Sequence, residues 1–478
     1  MKQLQHVTIA AMDPHRFASV LSGDEYRELV ELIDAGAELL RGRRIWNVNS
    51  TPTGGGVAEL LRPLLGYCRG SGVDARWTVI SGDRAFFAIT KRLHNHLHGS
   101  DGDGGALGPS ERAGYERTLA ANAQQLAGLV SPHDVVILHD PQTAGIVDAV
   151  KATGAAVIWR CHVGLDHAND RAIEAWNFLR PYVLPADAYV FSRSAFAWDG
   201  LDRDKITMIQ PSIDVFSPKN AAQTTEQSRA ILAQAGIVGR PGEGDPTFTR
   251  SDGVPSRVRL RAELIEDEPL TPAHRLVTQI SRWDGLKDPL GVVRGFTEHV
   301  APKFDAHLVL AGPSTAAVAD DPEGALVFAA VREAWHALPA DLRRRVHLAS
   351  LPMEDIDQNA AIVNALQRHS EIVVQKSLAE GFGLTVAEAM WKERPVVASR
   401  IGGIQDQIVD GESGVLLSDP RDPREFGAAV GGLLADPERA SRIGAAARDR
   451  VQHHFLGPHH LGRYFALITS LIDTTLAL

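Results

Sequence analysis

Short runs rich in valine and isoleucine recur along the whole chain, many closed by Gly, Ser, Asn or His and followed by a longer stretch with helical spacing. The first set of candidate strands is Arg44–Val48, Arg76–Ile80, Asp134–Leu138, Ala156–Trp159, Ala188–Phe191 and Ile206–Ile209. The second is Leu276–Ile280, His307–Ala311, Val346–Ala349, Glu371–Val374, Pro395–Ala398 and Val415–Leu417. Continuous apolar runs alternating with helices predict parallel sheets covered by helices on their faces, the α/β class. Twelve strands exceed one small open sheet, and a break near Asp214–Arg257 divides the two sets. Inside the break, VGRPGEGDPTFTRSDGVPSR carries three prolines and four glycines and reads as a long exposed loop without a role of its own. The C-terminal stretch HHLGRYFALITSLIDTTL spaces Leu461, Tyr464, Phe465, Ile468 and Leu471 as one helix face.

A chain of 478 residues suggests about two to four domains. The expected division is two Rossmann-like domains, 1–214 and 215–458, with a helix over 459–478 returning to the first. If the two face each other, strand C-termini line both sides of a cleft, where open α/β sheets bind ligands. The balance of 49 Lys plus Arg against 59 Asp plus Glu, a net of −10, disfavours nucleic acid and anionic membranes as partners. Two cysteines, Cys68 and Cys161, give neither a disulfide framework nor a thiolate zinc site. With no apolar run long enough for a membrane span and no secretory leader, the expectation is a cytoplasmic protein.

Four groups of residues fall at expected strand ends. Asn49–Glu59 holds Gly54, Gly55 and Gly56 ahead of a helix, where backbone can approach an anion; the alternative is a tight turn. Ser281–Pro289 carries Arg282 and Lys287, a fork and a point charge five residues apart that can both reach a pyrophosphate, or else two solvated cations. Glu380-Gly-Phe382-Gly383-Leu384-Thr-Val-Ala-Glu388 sets two carboxylates around a glycine turn that opens a helix. An anion can rest on the N–H groups near Gly383 and Leu384 while a carboxylate holds sugar hydroxyls; otherwise the acids merely suit the helix dipole. His139-Asp140 and Cys161-His162 end two strands, where a neutral imidazole can hold a hydroxyl or simply pack in the core. After the strand Arg76–Ile80, Phe87, Lys91 and His94 suit an acceptor pocket. His94, His96 and His98 scatter over different helix faces, so no metal site is expected.

Together these loops resemble those of the two-domain GT-B glycosyltransferases and, more closely, glycosyltransferase family 4, whose members retain the donor's anomeric configuration. Glu380, Glu388 and the Arg282/Lys287 loop carry that likeness. A narrower resemblance, to the trehalose glycosyltransferring synthases, rests on NVNSTPTGGGVAELL, VILHDPQTA, WRCHVGLD, PSIDVFSPKN, DDPEG, NALQR, EGFGLTVAEAMWKERPVV and GGIQDQIVDGESG. The resemblance implies reversible transfer of glucose from an NDP-glucose to free glucose, giving trehalose. It implies that Gly54–Gly56 approach the donor phosphates, that Arg282 and Lys287 neutralise the pyrophosphate, that Glu388 holds the ribose and that Glu380 holds the transferred glucose. His162 would lie by the reacting carbon, and Phe87, Lys91, His94, His139 and Asp140 on the acceptor side. No cofactor or catalytic metal is implied, and a homodimer is expected. Two other readings fit the motifs: a retaining trehalose phosphorylase and a catalytically silent GT-B-like binding protein.

Overall fold

The structure, a computed structural model, describes residues 3–476 apart from 54, 241, 243 and 316–321. The chain forms two compact units, Met1–Ser212 with Phe455–Leu478, and Ile213–His454.

The first unit is built on seven strands: β1 (Gln5–Val7), β2 (Arg44–Asn49), β3 (Asp74–Val79), β4 (Val135–His139), β5 (Ala156–Cys161), β6 (Ala188–Phe191) and β7 (Ile206–Met208). Their order is β1-β3-β2-β4-β5-β6-β7, with β1 antiparallel at the edge and the other pairings parallel. β4 and β6 are buried along their whole length, as strands covered on both faces must be. On one face Trp46, Val48, Val136, Leu138, Val157 and Trp159 join a core with Tyr115 and Phe178. On the other, Ile45, Ile137, Ile158 and Val190 lie under Tyr464, Leu467, Ile468 and Ile472 of the C-terminal helix Gly457–Leu476. Tyr464 and Ile468 are thus buried as their spacing predicts.

The second unit repeats the plan with β10 (Glu263–Ile265), β11 (Leu276–Ile280), β12 (His307–Pro313), β13 (Val346–Leu351), β14 (Ile372–Gln375), β15 (Val396–Ser399) and β16 (Val415–Leu417), ordered β10-β13-β12-β11-β14-β15-β16. Within this sheet, among the described residues, β10 alone pairs antiparallel. All twelve expected strands form, with ends moved by one or two residues. The two antiparallel edge strands escape sequence reasoning because three residues are too few to show a period.

The segment expected to be a featureless loop is a correction. Thr247–Thr249 (β8) and Pro255–Arg257 (β9) pair as an antiparallel hairpin. Phe248 and Val258 are buried in the second unit's core. Arg250 donates to both carboxylate oxygens of Asp355, at 2.8 and 3.1 Å, and Ser251 Oγ donates to Asp357 at 2.6 Å. Both acids lie at the start of the helix Ile356–His369, so the hairpin is fastened to a core helix. No helix among the described residues is long and apolar enough to cross a membrane.

Candidate active site

In the second unit the site grows from the ends of β11 and β14. After β11 the chain turns through Gly285–Lys287 and enters the helix Pro289–Gly295. Asp284 caps the turn by accepting from Leu286 N–H at 2.8 Å. Asp288 takes a left-handed conformation, φ 46°, and caps the following helix through Gly291 N–H at 3.1 Å. That strained residue is held by Lys376, a lysine 1% exposed, whose ammonium donates to Asp288 Oδ2. Gln279 ties the two strand ends together, donating to Lys287 O at 2.9 Å and accepting from Lys376 N–H at 3.2 Å.

This framework directs Lys287 onto Glu380, and the two form an ion pair in which neither side chain exceeds 15% exposure. The two residues come from loops 93 positions apart in sequence. Arg282 points outward, 60% exposed, and pairs with Asp284 at 3.2 Å. The turn Glu380–Gly383 rests on a second glycine pair. A Cβ on Gly402 would strike the carbonyl of Glu380, and one on Gly403 would lie 2.7 Å from the Gly381 carbonyl. Gly403 N–H also donates to Gly381 O at 3.0 Å.

Gly383 is left-handed, φ 83°, at the cap of the helix Leu384–Trp391 and offers no side chain to the first turn's N–H groups. Phe382 is buried, while Gly383 and Leu384 are part-exposed at that N-terminus. Such an end attracts anions. Glu388 lies inside the helix, 3% exposed, with Lys219 Nζ 3.4 Å from Oε1. Below it, buried Lys392 donates to Gln367 Oε1 at 2.7 Å, Asn220 Oδ1 at 2.9 Å and Glu388 O at 3.1 Å. Lys219, Lys376 and Lys392 are not assigned roles by the motif reading. Each is a lone basic residue whose partner lies elsewhere in the chain or on a backbone carbonyl.

In the first unit, β2 leads into the glycine loop and the helix Gly56–Gly70. Gly55 has φ 87° and no side-chain cap; Gly54 lies outside the described residues. Phe87, Lys91 and His94 follow one another at helical spacing on Arg84–Leu97; Phe87 is 37% exposed, Lys91 exposed and His94 half-buried. The strand ends bring His139, Asp140 and His162 together. Asp140 is buried with φ 64°, a conformation unusual for a non-glycine residue, and its Oδ1 accepts His162 N–H at 2.7 Å. His139 and His162 rings lie 16° from parallel, with His139 Nδ1 3.1 Å from His162 Nε2.

Arg160, beside His139 in the β4–β5 register, is wholly buried and donates to Ser192 Oγ at 3.2 Å. Burial, then the Arg160 charge, lowers His139 to about 3 and holds His162 well below the ordinary imidazole value. His460, from the C-terminal helix, is lowered for the same reasons in the same order. Burial raises Asp140 to about 7, against the pull of the His162 N–H and Arg160. These are neutral imidazoles beside a carboxyl poised near neutrality, suited to holding and exchanging hydrogen bonds with hydroxyls. Among the described residues no group of three or more His, Cys, Asp or Glu is placed to hold a metal ion.

Two parallel-dominated sheets of this order make up the GT-B fold. The solved α,α-trehalose-phosphate synthase (UDP-forming) of Burkholderia xenovorans, in complex with glucose-6-phosphate, superposes with a TM-score of 0.64 over 89% of this chain and 100% of its own, at 14% identity. Residues 47–198 match the family described as trehalose synthase, N-terminal domain, and residues 356–450 the family described as glycosyl transferases group 1. The trehalose synthase of Pyrococcus horikoshii is 35% identical over 93% of this chain and 94% of its own. That of Rubrobacter xylanophilus is 33% identical over 95% and 96%. The chain belongs to the trehalose synthase family of glycosyltransferases.

Proposed function

We propose that the protein transfers glucose from an NDP-glucose to free glucose with retention of anomeric configuration, giving trehalose and a nucleoside diphosphate in a reversible reaction. The observation that carries this reading is the Lys287–Glu380 pair beside the open N-terminus of the helix Leu384–Trp391. A lysine held there supplies positive charge to a diphosphate leaving group, and the first-turn N–H groups supply hydrogen bonds. Arg282 adds a fork; its exposed pairing with Asp284 contributes only about 0–1 kcal/mol, so turning toward a phosphate costs little. Once Lys287 engages phosphate, Glu380 becomes an acceptor for hydroxyls of the transferred glucose. Glu388 stands as the acceptor for the ribose hydroxyls, with Lys219 Nζ 3.4 Å from its Oε1.

In the first unit, His162 and His139 serve the sugars, and Phe87, Lys91 and His94 the acceptor. Retention follows if the leaving phosphate takes the acceptor's proton on the face it departs from, so no enzymic nucleophile is needed. Glu380 is not one of two glycosidase carboxylates. Charge from Lys287, Arg282 and the helix end replaces a divalent ion, and transfer is expected to persist after exhaustive chelation. A cytoplasmic homodimer completes the proposal. Incubation with glucose and each of several NDP-glucoses, followed by linkage analysis, tests it: an α,α-linked disaccharide is expected, and phosphate-dependent cleavage of trehalose without nucleotide would favour a phosphorylase.

A further inference from the structure

The first unit buries a full positive charge, and among the described residues no carboxylate stands within ion-pair distance of it. Arg160 is 0% exposed. Its Nη2 donates to Ser192 Oγ at 3.2 Å, while Nε and Nη1 are both shut off from solvent and have no acceptor. A guanidinium cannot shed its proton to escape burial, so an uncompensated one is among the most costly groups an interior can hold.

The strand register shows what Arg160 faces. Val190 is its partner on β6, and Ile158 lies two residues back on the same face of β5. Both pack under the C-terminal helix Gly457–Leu476. In the first turn of that helix His460 is 1% exposed and stacks on Tyr464, ring centroids 5.2 Å apart. Its Nδ1 lies 3.0 Å from Ser212 Oγ, and its Nε2 is buried without a partner. A serine hydroxyl can donate or accept, so His460 is free to carry its proton on Nε2. Asp140 does not supply the missing charge. Its Oδ1 accepts the His162 N–H, and burial raises it to about 7, the opposite of what pairing with a guanidinium does. The remaining titratable groups around Arg160 are His139, His162 and Tyr464, all held neutral. Water could complete the hydrogen bonds but would leave the charge unbalanced.

We propose that Arg160 and His460 hold a small monovalent anion, of the size and charge of chloride, between β5 and the C-terminal helix, with Arg160 Nε and Nη1 and His460 Nε2 as its donors. One negative charge balances one guanidinium; a divalent oxyanion would reverse the imbalance in the same closed space. The anion fastens the helix that closes the first sheet. This inference stands on the first unit alone and does not rest on the sugar-transfer reading.

The test is the thermal midpoint of the full chain, dialysed free of halide, in sodium chloride and in sodium gluconate at equal ionic strength. A ligand of the folded state alone should raise the midpoint by about 3–5 °C for each tenfold rise in chloride above its dissociation constant. Arg160→Met, which keeps the length of the side chain and removes its charge, should abolish the difference between the two salts. Should Arg160→Met fail to fold, wild-type crystals grown in sodium bromide decide, with an anomalous peak expected between Arg160 and His460. A midpoint indifferent to chloride, a chloride effect that survives in Arg160→Met, or bromide crystals with water alone at Arg160 would each overturn the site. A bromide peak there without any effect of chloride on the midpoint would mean an adventitious ion only, and would overturn it as well.

Discussion

Lys287 is largely buried, and in the free protein its ammonium pairs with Glu380. Lys287→Ala should lower kcat/KM for NDP-glucose about ten- to a hundredfold, since a charge-assisted hydrogen bond is worth roughly 1.5–3 kcal/mol. Arg282→Ala should lower it in the same range, and nucleoside diphosphate affinity should fall with both; unchanged affinity in both would place these cations in solvent only. A second prediction concerns acid. His139, His162 and His460 have folded values below the unfolded one, so the unfolded chain binds more protons and stability is lost as pH falls below about 6.5. Asp140, raised to about 7, acts oppositely, since its stabilising proton is lost as pH rises toward 7. Three imidazoles outweigh one carboxyl, and His307, lowered to about 4 by burial, adds to them. The thermal midpoint should therefore drop between pH 6.5 and pH 5; a flat or rising midpoint would mean that the imidazoles titrate normally. At this scale the sequence reveals the polar ends of strands, because Arg282, Lys287, Glu380, His139 and His162 all follow apolar runs. It conceals Lys376, Lys219 and Arg160, whose pairings or burial depend on strands and loops that meet only in the folded sheet.

The turn that presents Glu380 is supported from beneath by Gly402 and Gly403, so the two short motifs EGFG and GGI form one structural element. Gly402→Ala would drive a methyl into the Glu380 carbonyl at φ 45°. Gly411→Ala, at φ 78° with nothing within 4 Å of the new Cβ, bears conformational strain only, about 1–2 kcal/mol. In urea, Gly402→Ala should lose distinctly more stability than Gly411→Ala and also lose donor use. Equal losses would show that the Glu380 turn yields without cost. The hairpin Thr247–Thr249 and Pro255–Arg257 marks where sequence reading ends. Its strands are three residues long, one begins with proline, and glycine surrounds them, all signs of a loop. What orders it is Phe248 in the core and Arg250 on Asp355, a residue 105 positions away. The long buried strands, by contrast, are legible within one or two residues, because a parallel strand covered on both faces must be apolar throughout.

The chain leaves its first unit after Ser212 and rejoins it at Phe455, so the first sheet is finished by the last residues of the sequence. Tyr464, Leu467, Ile468 and Ile472 cover one face of that sheet. At about 1.5–3 kcal/mol for each large buried side chain, their burial is comparable to the stability of a whole domain. A chain ending at His454 should therefore lose the cooperative unfolding of the first unit while Ile213–His454 still unfolds as one; two intact transitions in calorimetry would contradict that. The match to the trehalose synthases covers 93% and 95% of this chain, so it extends over both units, which carry His162 and Glu380. The central claim is that these serve retaining transfer between two glucoses. The measurement that tests it most directly is anomeric analysis of the disaccharide formed from NDP-glucose and glucose. The account predicts trehalose with both linkages α and one nucleoside diphosphate released per disaccharide. A β linkage, or no disaccharide with any nucleotide, would contradict it.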